Sequence, residues 1–358
     1  MPRVLRTDPV NPDRRVIEEA AAVIRRGGLV AFPTETVYGL GCDAFNGRAA
    51  LKVFRAKRRP PDNPLIVHIA DFGQLGEVAS NVPDYVWEAA RKAWPGPLTF
   101  VLQKAERVPR EVTGGRSTVA VRMPAHPVAL ELIRAAGTPI AAPSANVSGK
   151  PSPTAAEHVL EDFADNPLVD VVIDGGPTFF GVESTIVDVT RDPPLLLRPG
   201  PYTLEELEKI LGRRVEVPAF ARGIAEAEEA VAPGMRYRHY SPETPLLVVE
   251  CPHERGLVET LVGLAKDRLR RGLKVALLVS REVADLVDEA LHGPVHIVVV
   301  GSRQNLYTVA KNLYRALRDL DKLDVDIGIA EGYEERGVGL AIMNRLRKAS
   351  GQNVVRCL

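Results

Sequence analysis

The chain has 358 residues, a length that predicts about two domains. Lys plus Arg number 46 and Asp plus Glu number 46, so the formal charge is zero. That excludes a protein that coats nucleic acid or anionic membrane by bulk charge, but leaves room for a local basic cleft. With 45% hydrophobic and 26% charged residues there is ample material for a core, and no apolar run approaches the ~18 residues of a membrane span. The opening MPRVLRTDPVNPDRR has no apolar signal core, and Cys42, Cys251 and Cys357 form no CxxC pair. Neither a disulfide framework nor a zinc knuckle is expected, and a reducing cytoplasm is.

In chain order, Asn11 is expected to cap a first helix with Pro12 at its first position, Val16, Ala20 and Ile24 on one face, and Gly27-Gly28 as its stop. Strands are read at LVAF (29–32), LIVHI (65–69), LTFVL (98–102), TVAVRM (118–123), PIAA (139–142), VDVVID (169–174), TIVDV (185–189) and LLLR (195–198). Helical patterns fall near 47–57, 84–94, 127–136 and 154–163, and Thr154/Glu157 and Thr203/Glu206 have capping-box spacing. Residues 213–245 break this alternation and read as a linker. From 246 the rhythm restarts with LLVVE (246–250), LKVALLVS (273–280), VHIVVVG (295–301) and VDIGIA (325–330), separated by helices over 254–271, 281–291 and 304–320 and followed by one near 339–349. The expected class is α/β: an α/β catalytic domain (1–212), a linker or lid (213–245), and a smaller Rossmann-like domain (246–358). No GxGxxG follows LLVVE, so a dinucleotide site is not expected there.

The informative residues crowd into loops of the first domain. PTETVYGLGCDAFN (33–46) offers Thr34 and Thr36 as hydroxyls and Gly39 and Gly41 for close backbone approach; the plainer reading is an ordinary turn. Arg55, Lys57, Arg58 and Arg59 put four cations in five residues, followed by Asp62, Asn63 and three prolines. Such a run is usually a solvated helix face, but here it ends a helix beside an apolar strand carrying His68, and buried cations suit polyphosphate. Thr118 and Arg122 share one face of a strand, and an arginine there needs an anionic ligand or a structural carboxylate. PIAAPSANVSGKPSPT adds Ser144, Asn146, Ser148 and Ser152, and later strand ends add Ser184 and Arg198. No hydrolase elbow, P-loop, zinc pattern or paired-aspartate site is present, so the residues point to an anion-handling cleft made of cations, hydroxyls and amides.

FPTETVYGLG, KRRPPDNPLIVH, STVAVRMP, PSANVSGKPSPT, GVESTIVD and LRPG, in this order, resemble the YrdC/Sua5 family over residues 15–212, and PGMRYRHYSP with the trailing α/β domain resembles its two-domain Sua5 form. The resemblance implies a YrdC-like twisted open α/β sheet and L-threonylcarbamoyladenylate synthase activity. ATP, L-threonine and bicarbonate or CO2 would be substrates, Mg²⁺ a cofactor with unidentified ligands, and pyrophosphate a product. The adenylate would pass to a separate tRNA threonylcarbamoyl-transferase complex for t6A formation. Direct tRNA binding is possible without being required, and no membrane partner is implied. Carried over by position, Lys57 and Arg59 are the catalytic pair. Arg59, Asn63, Thr118, Ser144, Asn146, Ser152, Arg198 and Tyr240 would contact ATP, and Thr36, His68, Arg122 and Ser184 would contact threonine. Arg58 stands where the family commonly has Gly and is expected to face solvent; Ala142 stands where a further threonine contact often lies. Residues 233–240, with Arg236, Tyr237, Arg238, His239 and Tyr240, are read as a lid over the cleft, against the plainer reading of glue between domains.

Two alternatives compete with this. An RNA-binding or ribosome-associated module could use the same basic cleft, but the neutral charge and the 5% aromatic content disfavour a stacking platform. The carbamoyl-adenylate enzyme of hydrogenase maturation would bring paired cysteines and an acylphosphatase-like region that this sequence does not contain.

Overall fold

The computed structural model describes residues 1–227, 230–235, 240–291 and 293–357. The chain begins with β1 (Arg3–Arg6), α1 (Arg14–Arg25), β2 (Val30–Phe32), β3 (Gly39–Asp43), α2 (Gly47–Lys57), β4 (Ile66–His68), α3 (Phe72–Val78) and β5 (Ala79–Ser80). Next come α4 (Asp84–Ala93), β6 (Leu98–Lys104), β7 (Thr118–Arg122), α5 (Pro127–Ala136), β8 (Ile140–Ala142) and α6 (Ala156–Phe163). The first sheet ends with β9 (Val171–Asp174), β10 (Thr185–Asp188) and β11 (Leu195–Arg198), followed by α7 (Leu204–Leu211). Among the described residues these strands form one open, mixed sheet of eleven, ordered β1-β9-β2-β3-β8-β4-β7-β6-β10-β11, with β5 on β6.

Local chemistry explains where the expected boundaries moved. The first helix starts at Arg14 with Asp13 as its cap, not at Asn11-Pro12. Asp8 takes the N–H groups of Val10 and Asn11 at 2.8 and 2.7 Å and keeps that stretch in a turn. The Thr203/Glu206 capping box forms, but Thr154/Glu157 does not: α6 begins at Ala156, and the Thr154 N–H instead donates to His158 Nδ1 at 3.2 Å. GLGCD, read as ligand loop, is a strand paired with β2. A Cβ on Gly41 would lie 2.6 Å from Ile140 and 2.7 Å from Phe32, so that glycine serves sheet packing rather than ligand approach.

The register places the chemistry. Parallel pairing of β4 with β7 sets His68 beside Arg122, and neighbours in register emerge on the same face. Val119 and Val121 point into the main core, while Ala120 joins Ile66, Val101, Ile186 and Leu197 on the other face. Among the described residues of 213–245 there is no helix or strand, yet several are packed: Val215 and Ala221 enter the main core, and Ala227, Ala232 and Met235 cover the face around Ala120.

A second sheet, all parallel, has β12 (Leu246–Glu250), β13 (Val275–Ser280), β14 (Val295–Gly301), β15 (Ile327–Glu331) and β16 (Val354–Arg356), ordered β14-β13-β15-β12-β16. Its helices are α8 (Glu254–Arg270), α9 (Arg281–Ala290), α10 (Leu306–Leu320) and α11 (Gly339–Ala349). The fifth strand was not expected, and it overturns the cysteine reading. β16 pairs with β12 up to Glu250–Arg356, so the next residues, Cys251 and Cys357, meet and form a disulfide with Cα atoms 4.9 Å apart. Cys42 remains free and buried. Helices α10 and α11 face the first sheet, with Val37 and Val182 joining Leu313, Ile342 and Met343 in one core.

Candidate active site

The β2–β3 connection, the end of α2, the C-terminal ends of β4 and β7, the loops after β8 and before β10, the end of β11, and Pro233, Gly234 and Tyr240 converge on one cleft. Eleven of the thirteen residues expected in the site line it: Thr36, Lys57, Arg59, His68, Arg122, Ser144, Asn146, Ser152, Ser184, Arg198 and Tyr240. Asn63 and Thr118 are not among the lining residues. The cavity measures about 50 Å³, below the roughly 300–1,000 Å³ of small-molecule sites. Pro233, Gly234 and Tyr240 form part of its wall. Gly234 sits at φ 86°, and a Cβ there would come within 2.7 Å of the Tyr240 hydroxyl and 3.3 Å of Arg198. Arg236, Tyr237, Arg238 and His239 of the expected lid lie outside the described residues.

One end of the cleft is built around Arg122. Its Nη1 donates to Thr36 Oγ1 at 2.9 Å and its Nε to the Gly96 carbonyl at 3.3 Å. Glu35 Oε1 lies 2.7 Å from Nη2 as an ion pair, off the axis of an aligned hydrogen bond. The structural carboxylate that an arginine on this strand requires is therefore Glu35. Beside it, His68 Nδ1 meets the Ile66 carbonyl at 3.1 Å and its ring packs edge-on against Phe32. Burial, then the charge of Arg122, pushes the imidazole down to about 3. The ring is thus neutral, and it faces the backbone of both Ile140 and Ile66.

At the other end, Lys57 is 1% and Arg59 8% exposed. The Lys57 ammonium donates to the carbonyls of Ser144 and Asn146, while burial and then Arg59 push it well below its ordinary value. Arg59 is held by the Asn63 carbonyl (3.1 Å), Asn63 Oδ1 (2.6 Å) and the Pro64 carbonyl (3.0 Å). Asn146 Nδ2 donates to Val147 and Lys150 carbonyls, leaving its buried Oδ1 without a donor among the described residues. Arg58 is exposed and left-handed at φ 52°, which gives the physical reason for a glycine preference at that position.

The remaining wall was only partly foreseen. Arg198 donates to the Ser184 carbonyl and hydroxyl at 3.1 and 3.2 Å and to the Pro233 carbonyl at 3.3 Å, and Ser184 also meets Thr99 at 2.8 Å. Ser152 donates to Glu183 at 2.5 Å. Glu183 was missed, although an acid inside GVESTIVDV, amid cations, is a readable signal. Its second oxygen accepts from Tyr314 at 2.7 Å and from Arg345 at 3.0 and 3.2 Å. Tyr314 and Arg345 gave no signal, because a tyrosine or arginine within an amphipathic helix reads as ordinary surface or core. Tyr240 stacks on Tyr314 with centroids 5.3 Å apart.

A buried cationic cleft on an open α/β sheet, with no nucleophile–base pair among its described lining residues, is suited to binding and aligning anionic small molecules. Residues 22–200 match the Sua5, YciO and YrdC family model, described as telomere recombination, and residues 202–351 match a model described as the threonylcarbamoyl-AMP synthase C-terminal domain. The chain is 49% identical over 343 residues to threonylcarbamoyl-AMP synthase of Pyrococcus abyssi, covering 95% of each, and 46% identical over 352 residues to that of Bacillus subtilis, covering 98% and 97%. The crystal structure of P. abyssi Sua5 complexed with L-threonine superposes with a TM-score of 0.91 at 46% identity over 99% of both chains. This chain belongs to the Sua5/YrdC family.

Proposed function

We infer that the chain is a threonylcarbamoyl-AMP synthase, a nucleotidyl-transferring enzyme acting on L-threonine, bicarbonate or CO2, and ATP. The observation that carries this reading is the convergence of four buried cations, Lys57, Arg59, Arg122 and Arg198, with the hydroxyls of Thr36 and Ser184 in one cleft. The threonine amine, having lost a proton to solvent, adds through its lone pair to CO2 and gives up a second N–H proton to solvent, leaving a carbamate. A carbamate oxygen then attacks the α-phosphorus, the new P–O bond forms as the bond to the β-phosphate bridging oxygen breaks, and pyrophosphate leaves. No protein nucleophile is needed; alignment and charge neutralisation supply the catalysis.

In this reading Lys57 and Arg59 bind the reacting phosphates, and Asn63 acts through Arg59 by fixing its guanidinium. Ser144, Asn146, Ser152, Arg198 and Tyr240 surround the nucleotide, the free Asn146 Oδ1 being suited to a nucleotide donor. Arg122, whose charge Glu35 already balances, gives directional hydrogen bonds to the threonine carboxylate. Thr36, Ser184 and the neutral His68 ring surround the rest of the amino acid. With its imidazole pushed to about 3, His68 orients the amine and does not take its proton. Thr118 lies four residues along β7 from Arg122, roughly 13 Å at ~3.3 Å per residue, which puts it too far along the strand to share the cleft with Arg122.

The small cavity supports a further element: the wall made by Pro233, Gly234 and Tyr240 opens to admit substrates and closes over them, within a chain divided into a catalytic unit (1–212), a connecting lid (213–245) and a C-terminal unit (246–358). The residues do not fit a resident Mg²⁺. Among those described, no three His, Cys, Asp or Glu gather as ligands, Glu35 is paired with Arg122, and Glu183 is saturated. The adenylate would be passed to a separate tRNA-modifying transferase in the cytoplasm; among the described residues no helix is long and apolar enough to cross a membrane. An RNA-binding reading would need exposed cations, which Lys57 and Arg59 are not. The test is incubation with ATP, bicarbonate and single amino acids, following pyrophosphate and the AMP adduct by mass. A threonine-dependent adduct is expected; pyrophosphate release indifferent to threonine would overturn the reading.

A further inference from the structure

We propose that Arg345 is a positioning residue for the reaction in the first sheet's cleft, reaching across from α11 to hold the Glu183 carboxylate, the Pro199 carbonyl and the Tyr240 ring in one arrangement. The proposal rests on the synthase reading of the cleft. Arg345 is completely buried. Its Nε and Nη2 donate to Glu183 at 3.2 and 3.0 Å, its Nη1 donates to Pro199 at 2.6 Å, and its guanidinium lies 5.6 Å from the centre of the Tyr240 ring. Through Glu183 it fixes Ser152; through Pro199 it fixes the strand end that carries Arg198, and with it Ser184.

The physical need is specific. Glu183 lines a cleft built for a polyanion, and an uncompensated carboxylate there would repel the nucleotide. Arg345 supplies the opposite charge from behind, so the carboxylate can anchor Ser152 without presenting net negative charge forward. Burial opposes ionisation of Glu183, but Arg345 and Arg198, helped by Ser152 and Tyr314, hold it down at about 2. The charged and titratable groups facing it are Arg345, Arg198, Tyr314, Tyr240 and Lys348; Lys348 is itself pushed to about 7 by burial and by Arg345. Without Arg345, burial dominates and the Glu183 pKa rises. At low pH the carboxyl would then be neutral and harmless, and at high pH it would be a buried carboxylate that Arg198 alone must balance while also facing the nucleotide.

The experiment uses the full chain and measures pyrophosphate release with ATP, threonine and bicarbonate from pH 6 to 8. If the unaltered protein makes no adduct, the function reading fails, and the positioning proposal is not what has been refuted. Given an active protein, Arg345→Met should lose at least tenfold in kcat at pH 8, with the loss shrinking towards pH 6. Glu183→Gln added to Arg345→Met should abolish that pH-dependent loss and return kcat to within about threefold of Glu183→Gln alone; because Arg345 and Glu183 both act on Lys348, the series is repeated with Lys348→Met throughout, and the same pattern is expected. A loss equal at every pH, or a double variant as impaired as Arg345→Met, would overturn the proposal. Should Arg345→Met fail to fold, the double variant, which leaves no buried carboxylate without its arginine and faces Arg198 with the same neutral amide as Glu183→Gln does, decides: folded with the activity of Glu183→Gln supports the proposal, folded and inactive refutes it.

Discussion

Lys57→Ala separates catalytic from structural roles, because the two predict opposite balances of loss. The substitution removes a buried ammonium whose desolvation already works against it, and leaves the carbonyls of Ser144 and Asn146 without their donor. Losing the donor costs about 1–3 kcal/mol for each carbonyl that stays dry, while removing the buried charge returns part of that. The net change in folding stability is therefore small, within about 2 kcal/mol. Transition-state stabilisation has no such offset. Loss of one preorganised electrostatic donor costs about 2–4 kcal/mol, or roughly 30- to 1,000-fold in kcat. Pyrophosphate release at saturating ATP and threonine gives the second quantity, and urea unfolding gives the first. A variant with kcat within threefold of the parent and lowered stability would show that Lys57 only ties the loop after β8 to α2.

Arg58→Gly should raise stability by up to about 1 kcal/mol, since a left-handed cap strains any side chain; a lower melting temperature would contradict the cap assignment. His68, held at about 3 in the fold against an ordinary 6.5, binds a proton more readily when unfolded, so its contribution to stability is lost as pH falls from 6.5 towards 3. Between pH 7 and 5 the loss should be about 2 kcal/mol, and His68→Gln should remove that slope in urea titrations; an unchanged slope would exclude His68 as its source. Thiol titration of the unfolded, unreduced chain should count one thiol, Cys42, and a count of three would contradict the Cys251–Cys357 link.

The strands with dense apolar runs were legible, and so were the cations, because each announces itself within a few residues. LLVVE and LLLR fall on β12 and β11 to the residue. What escaped depends on partners distant in sequence. β3 is written in glycines because Phe32 and Ile140 press on it, so its own composition denies strand character. β16 has only three residues and exists because β12 offers an edge. The Cys251–Cys357 pair follows from that edge and not from spacing. In the site, the expected residues converge where motifs at strand ends meet, whereas Tyr314 and Arg345 enter from 131 and 162 residues away in the chain from Glu183. No local pattern marks a helix residue whose partner lies in another sheet.

The packing of Ala227, Ala232 and Met235 on the first sheet also bears on solubility. Ala227, Ala232 and Met235 shield Ile66, Val101, Ala120, Ile186, Leu195 and Leu197 from water. A protein built from the same strands but ending near Gly212 would present those six side chains as a continuous greasy face beside its catalytic cleft. Such a shortened form must either repaint that face with polar residues or keep it covered by another molecule.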